Sequence, residues 1–158
     1  MENKQYPPLN FPPFQPSVKE ENGALKILDP ARRRYVALTP EEWVRQHVLH
    51  TLQSCGYPLE LMQVEAQITV GQLKKRCDVV VYGSQNGTLT PRMIVECKKP
   101  SVVLTQKVCD QICRYNMALN VPYLFLTNGM QHIILKVDAA HQCLQLLETL
   151  PRWEDLQK

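Results

Sequence analysis

No apolar run in this chain approaches the roughly 20 residues needed to cross a bilayer, so no membrane span is expected. The opening residues, MENKQYPPLNFPPF, lack the charged-then-apolar order of a secretory signal. No Cys-x-x-Cys pair occurs among the six cysteines, which argues against a structural zinc site. HExxH, GxSxG and GxxxxGK[ST] elements are missing, which removes metalloprotease, acyl-hydrolase and phosphate-loop readings. Aromatic residues are only 7% of the chain and are not interleaved with basic ones, unlike the stacking platforms of single-strand binders.

What is present describes an ordinary globular chain. The 158 residues, 44% hydrophobic and 21% charged, suit a single domain. The formal charge of +3 is small, but its distribution is uneven. Residues 71–114 hold eight Lys/Arg against three Asp/Glu, compatible with an anionic partner. Cys55, Cys77, Cys97, Cys109, Cys113 and Cys143 read as reduced, small buried hydrophobes of a cytoplasmic protein. His47, His50, His132 and His141 show no ligand spacing and read as surface or core residues. Trp43, Tyr35 and Tyr123 read as packing groups.

Five of the twelve prolines fall within the first 16 residues. Residues 1–23 therefore read as an extended arm that packs on the body or moves freely, and residues 24–158 as one domain. Two short apolar runs around Asp29-Pro30 suggest a hairpin over 24–38. Thr39-Pro40-Glu41-Glu42 starts a helix, with Thr39 as cap, Pro40 in the first turn and Glu42 available for a capping box. At 100° per residue, Val44, Val48, Leu52 and Cys55 define the core face; Glu41 projects within it and Glu42 to the side. Gly56-Tyr57-Pro58 ends that helix.

Strands are expected over 61–70, 77–82 and 92–98, followed by a helix over 104–119. Val121–Leu126 is wholly apolar, as in a strand buried on both faces, and 131–137 reads as another strand. Residues 141–147 are ambiguous between strand and helix. This order predicts an α/β or α+β sandwich around a mixed sheet.

The informative polar residues stand at strand ends. Asp78 begins an apolar strand, where a carboxylate must be solvated, paired or bound to metal. Glu96 and Lys98, two apart, project from one sheet face. If the strands pair through the turn at 83–87, two carboxylates and an ammonium converge at one sheet edge. Two carboxylates suit Mg²⁺, and a neighbouring lysine can neutralise charge at a phosphate under attack. The competing reading is a surface salt bridge between Glu96 and Lys98.

Asp78 followed by Glu96-Cys97-Lys98 resembles the PD-(D/E)xK nuclease signature. Gln111-Ile112-Cys113-Arg114-Tyr115 is similar to the QxxxY element of its RecB-like branch. The strings LTPEEWVRQ, KKRCDVVVYG, IVECKKP, DQICRYN and VPYLFLTNG resemble the N-terminal nuclease domain of type I restriction enzyme R subunits over residues 25–150. The resemblance implies a restriction-endonuclease-like core, with a central mixed sheet flanked by helices, that cleaves DNA with Mg²⁺ or Mn²⁺. It implies Asp78, Glu96 and the Cys97 backbone carbonyl as metal ligands and Lys98 as catalytic lysine. It also implies Gln111 and Tyr115 as a pair that steadies the site or contacts phosphate, and Glu41 or Glu42 as the helical acid, with Glu41 preferred.

Two departures matter. Arg76-Cys77, rather than a proline, precedes Asp78, and no iron–sulfur cysteine pattern occurs. The chain has no helicase motor, so DNA translocation would belong to other restriction-system subunits; a homodimer is a further expectation from the resemblance. Lys74, Lys75 and Arg76, and secondarily Arg32–Arg34, are candidates for phosphate contact. The alternative function is a catalytically silent nuclease-fold module that binds nucleic acid or a protein partner.

Overall fold

A computed structural model describes residues 6–138, 140 and 143–157. His141 lies outside the described residues. Among the described residues, two sheets and two α-helices make up the α+β fold. A small antiparallel sheet contains β1 (Val18–Glu21), β2 (Ala24–Asp29) and β3 (Arg34–Ala37). The larger sheet has the order β4 (Met62–Val70), β5 (Leu73–Gln85), β6 (Thr88–Cys97), β7 (Tyr123–Thr127), β8 (His132–Asp138) and β9 (Cys143–Leu147). Its neighbours are antiparallel except β6 and β7, which are parallel. The helix α2 (Gln106–Leu119) makes the crossover that a parallel pair requires. The expected hairpin over 24–38 thus gains a third strand from residues read in sequence as arm. The ambiguous tail resolves as the edge strand β9.

Helix α1 (Pro40–Ser54) begins where the sequence places it, with the Thr39 hydroxyl accepting from Glu42 N at 3.0 Å. The other half of the expected capping box is replaced: the Glu42 carboxylate turns inward to Arg32, Arg45 and Gln46. Helix α2 begins at a Thr105 cap and ends on Asn120 in the left-handed region, φ 58°.

The helices cover opposite faces of the larger sheet. Val44, Val48, Leu49 and Leu52 of α1 pack on Val79, Val81, Met93, Val95 and Phe125. Ile112 and Leu119 of α2 pack on Val80, Ile94, Leu124 and Leu126. All five residues of β7 are buried, as its apolar run implies. Cys55, assigned in sequence to the core face, is exposed at the helix end. Only Cys77 and Cys97 are buried; Cys109 and Cys113 are half-buried and Cys143 is exposed.

One irregularity shapes the functional end. Met62 and Val64 of β4 pack on the α1 side, whereas Ala66 and Ile68, of the same parity, pack on the α2 side. Glu65 lies between them at φ 54°, opposite Asp78 in a register that pairs Val64 with Val79 and Ala66 with Cys77. The β4–β5 ribbon therefore rotates its faces at Glu65 and Asp78.

The N-terminal arm packs on the body. Tyr6 Oη donates to Leu38 O at 2.7 Å, Trp43 Nε1 to Pro7 O at 3.0 Å, and Asn10 N to Gly129 O at 2.8 Å. Gly129 has φ 90°, and Leu9 lies 3.0 Å from where its Cβ would stand, so both conformation and space favour glycine. Phe14 stacks on His50 with ring centroids 4.0 Å apart and meets His47 edge-on at 4.8 Å.

Burial beneath this arm lowers the affinity of His47 and His50 for protons, although the Trp43 carbonyl and Asp29 respectively act in the opposite sense. The unfolded chain then binds more protons than the fold between the depressed values and 6.5, so stability falls as pH drops through that window. Urea midpoints should decrease from pH 7.5 to 5.5, with a weaker decrease in a His47→Gln/His50→Gln variant.

Candidate active site

The ladder between β5 and β6 ends on Val79 and Val95. The next residues in that register, Asp78 and Glu96, stand where the strands part. Instead of a strand carbonyl, Asp78 Oδ2 accepts the Cys97 backbone N–H at 2.8 Å. This contact holds the fork together. Lys98 N donates to Thr127 O at 2.8 Å, so β7 anchors the backbone just beyond β6.

The fork opens into a cleft of about 320 Å³ lined by Asp78, Glu96, Cys97 and Lys98, with Glu41, Arg45, Glu65, Cys77 and Arg76 around them. The two carboxylates and the lysine expected at one sheet edge therefore share one cavity. Glu41 joins them: its carboxyl is raised by burial and by proximity to Asp78, with Arg45 and Lys98 acting in the opposite sense. Burial also raises the Glu96 carboxyl, partly offset by Lys75 and Lys98. The Cys97 thiol is pushed well up by burial and then by Asp78, so it offers no thiolate.

A buried network fixes the α1 side. Asp29 Oδ1 accepts the backbone N–H groups of Ala31 at 2.8 Å and Arg32 at 2.7 Å. Its Oδ2 accepts Arg32 Nε at 2.7 Å and Gln46 Nε2 at 2.9 Å. Arg32 Nη2 continues to Glu42 Oε1 at 2.5 Å, and Arg45 Nη1 donates to the same oxygen at 2.9 Å. Arg45 Nη2 then reaches Asp78 Oδ1 at 2.8 Å and Glu41 Oε1 at 3.3 Å. Burial opposes the Arg45 charge, but Asp78 and Glu42 more than compensate, leaving the guanidinium ionised.

This arrangement corrects the expected helix orientation. Glu42, placed to the side in the sequence reading, is buried, whereas half of the Glu41 side chain is exposed at the cleft rim. The small sheet covers the flank of α1 that an amphipathic projection leaves to solvent. Arg32 is likewise drawn inward, leaving Arg33 and Arg34 as the exposed members of that basic triplet.

The other basic triplet also divides. Lys74 and Arg76 are exposed, whereas Lys75 Nζ lies 2.7 Å from Glu96 Oε1 and 5.0 Å from the Tyr115 ring centre. Tyr115 Oη donates to Lys74 O at 2.6 Å. Tyr115 thus reaches the cleft through Lys75, while Gln111 of the same helix is exposed. Sequence reasoning missed Asp29, Gln46 and Arg45. Helical spacing puts Arg45 within reach of Glu41 and Glu42, but only the tertiary fold brings it to Asp78.

Among the described residues, no three His, Cys, Asp or Glu side chains form a group that could hold a metal ion. A cation here would take side-chain ligands from Asp78 and Glu96, with water and main chain completing the shell. Hard oxygen donors and few protein ligands suit Mg²⁺. Asp78 and Glu96 bring carboxylate oxygens to the one cleft, and that donor set fits the ion. No described helix is long and apolar enough to cross a membrane.

A mixed α+β sheet whose strand fork gathers two acids and a lysine defines a restriction-endonuclease-like domain. Residues 40–151 match the family described as type I restriction enzyme R protein N terminus (HSDR_N), and the chain belongs to that family. A solved fragment of a "putative HsdR subunit of a type I restriction enzyme" from Vibrio vulnificus YJ016 is similar at 23% identity and a TM-score of 0.52. The likeness concerns the fold and covers 75% of this chain and 24% of the other, so this chain spans about a quarter of that length. A "putative nuclease belonging to DUF820" from Anabaena variabilis ATCC 29413 aligns at 13% identity and a TM-score of 0.46, over 88% of this chain and 80% of that one. No curated protein shows a significant match.

Truncating Arg45 leaves Glu42 and Asp78 without a shared counter-charge. Arg45→Met should destabilise the fold by about 3–5 kcal/mol in urea denaturation, the magnitude expected when one partner of a buried ion pair is removed.

Proposed function

We propose that this domain hydrolyses DNA phosphodiester bonds with Mg²⁺, or Mn²⁺ in its place. The observation that carries the reading is the shared cleft of Asp78, Glu96 and Lys98 at the β5–β6 fork. Asp78 and Glu96 would hold the cation, joined by the Cys97 carbonyl. A divalent ion so held supplies polarisation of a phosphate oxygen and a water of lowered pKa.

The chain's own residues supply the rest. Lys98 presents an ammonium beside the carboxylates, suited to neutralising charge that develops on the phosphate. Arg45 and the Cys97 N–H hold the two Asp78 oxygens in place. Glu41, at the rim beside Asp78 and Lys98, is the helical acid of this site. Tyr115 steadies the strand leading into Asp78 through the Lys74 carbonyl. Gln111, Lys74 and Arg76 are exposed on the flanking elements and suited to backbone phosphates, giving affinity that falls with salt. Lys75 is assigned instead to Glu96. In this reading the domain works in the cytoplasm with DNA and with motor or other subunits of a restriction system, and pairs as a homodimer for double-strand breaks.

One observation favours a second reading, a silent module that binds nucleic acid or a protein. Both carboxylates already carry internal cations, Arg45 on Asp78 and Lys75 on Glu96, so the cleft is electrostatically satisfied without metal.

Incubation with plasmid and with single-stranded DNA separates the two. Cleavage that requires Mg²⁺ or Mn²⁺ and falls by about a hundredfold or more in Asp78→Asn and Lys98→Met supports hydrolysis. Equal cleavage by wild type and Asp78→Asn contradicts this site. DNA binding without cleavage under either metal supports the module.

A further inference from the structure

We infer that Lys75 is a displaceable internal counter-cation of Glu96, occupying the charge position that a divalent metal takes over. This inference rests on the proposed metal site and assigns a competing counter-charge that the expected motif does not contain.

The two internal cations of the cleft are held very differently. Arg45 is gripped by three carboxylates, those of Glu41, Glu42 and Asp78, and only 7% of its side chain is exposed. Its planar donors are directed at fixed acceptors, so moving it would break its contacts with all three carboxylates at once. Among the described residues Lys75 has one carboxylate partner, Glu96, at 2.7 Å. That contact is held by a single ammonium rather than a planar fork of fixed donors. Its second contact is the Tyr115 ring at 5.0 Å, a nondirectional attraction that tolerates movement of the ammonium.

Backbone and side chain are also separated in this contact. Tyr115 Oη fixes the strand by donating to Lys74 O, while Lys75 Nζ lies over the ring. The flexible four-carbon stem of Lys75 can swing while the strand stays in place. Its neighbours Lys74 and Arg76 are exposed, and Arg76 turns to Glu65 at 3.5 Å rather than to Glu96.

Electrostatics then fixes the direction of the effect. An ammonium on Glu96 competes with any other cation for the same carboxylate. It also spares the metal-free fold a buried, uncompensated charge. Removing the ammonium should strengthen metal binding, opposite to the result expected if Lys75 served to hold Glu96 in a metal-binding pose. Replacing it with arginine keeps the charge and adds directed donors, which should not strengthen binding.

The test is calorimetric titration of Mn²⁺ into the whole chain, as wild type, Lys75→Met and Lys75→Arg, with thermal melts run alongside. The expected result is roughly fivefold tighter Mn²⁺ binding by Lys75→Met, from loss of the ammonium that competes for Glu96, and binding by Lys75→Arg no tighter than wild type. Mn²⁺ should also raise the Tm of Lys75→Met more than that of wild type. Equal or weaker binding by Lys75→Met, or tightening by Lys75→Arg as well, overturns the inference while leaving the metal site intact. Absence of Mn²⁺ binding by all three proteins overturns the metal site and this inference together.

Discussion

The functional end of this molecule depends on one hydrogen bond, from the Cys97 backbone N–H to the Asp78 carboxylate. Where β5 and β6 part, an unpaired ladder N–H would face a buried environment, at a penalty of about 1–3 kcal/mol. A side-chain carboxylate satisfies it and is brought beside Glu96. The fork and the acid pair are therefore one feature. A strand continuing in register would close the cleft, and an apolar residue at 78 would leave the N–H without its acceptor and Arg45 with Glu41 and Glu42 alone.

That carboxylate creates a charge problem which the rest of the fold answers. Arg45 comes from α1, but a buried guanidinium needs more than one acceptor, and Glu42 supplies another. Glu42 needs further donors, found in Arg32 and Gln46, and these converge on the fully buried Asp29. The small N-terminal sheet thus does more than cover α1. Its β2–β3 turn terminates a chain of paired charges that begins at the cleft. On the opposite face α2 contributes a looser arrangement, a tyrosine on the strand backbone and a lysine on Glu96.

Much of the fold was legible because local signals agreed with tertiary need. Thr39-Pro40 marked the start of α1, the apolar run before Thr127 marked a central strand, and alternation in residues 61–70 marked β4. The meeting of Asp78, Glu96 and Lys98 was legible too, since two-residue spacing on a strand fixes the face. The reversal of faces at Glu65 was not, because a single positive φ leaves the alternating pattern of residue types unchanged. The orientation of α1 was misread for a related reason. Projection onto a wheel assumes one buried stripe, yet Glu42, Arg45, Gln46 and His47 are all buried beneath the arm and small sheet. Basic triplets were read as uniform patches, whereas strand alternation and the β2–β3 turn direct Lys75 and Arg32 inward and leave their neighbours outside.

Hydrolysis at this site requires the β5–β6 fork to hold a divalent cation between its two acids. Diffraction from crystals soaked in Mn²⁺, collected for anomalous scattering, tests this directly. A metal held by the fork gives a peak at oxygen-ligand distance from both Asp78 and Glu96. A peak elsewhere on the molecule, or a fork still bridged by Lys75 with no peak at saturating Mn²⁺, would contradict it.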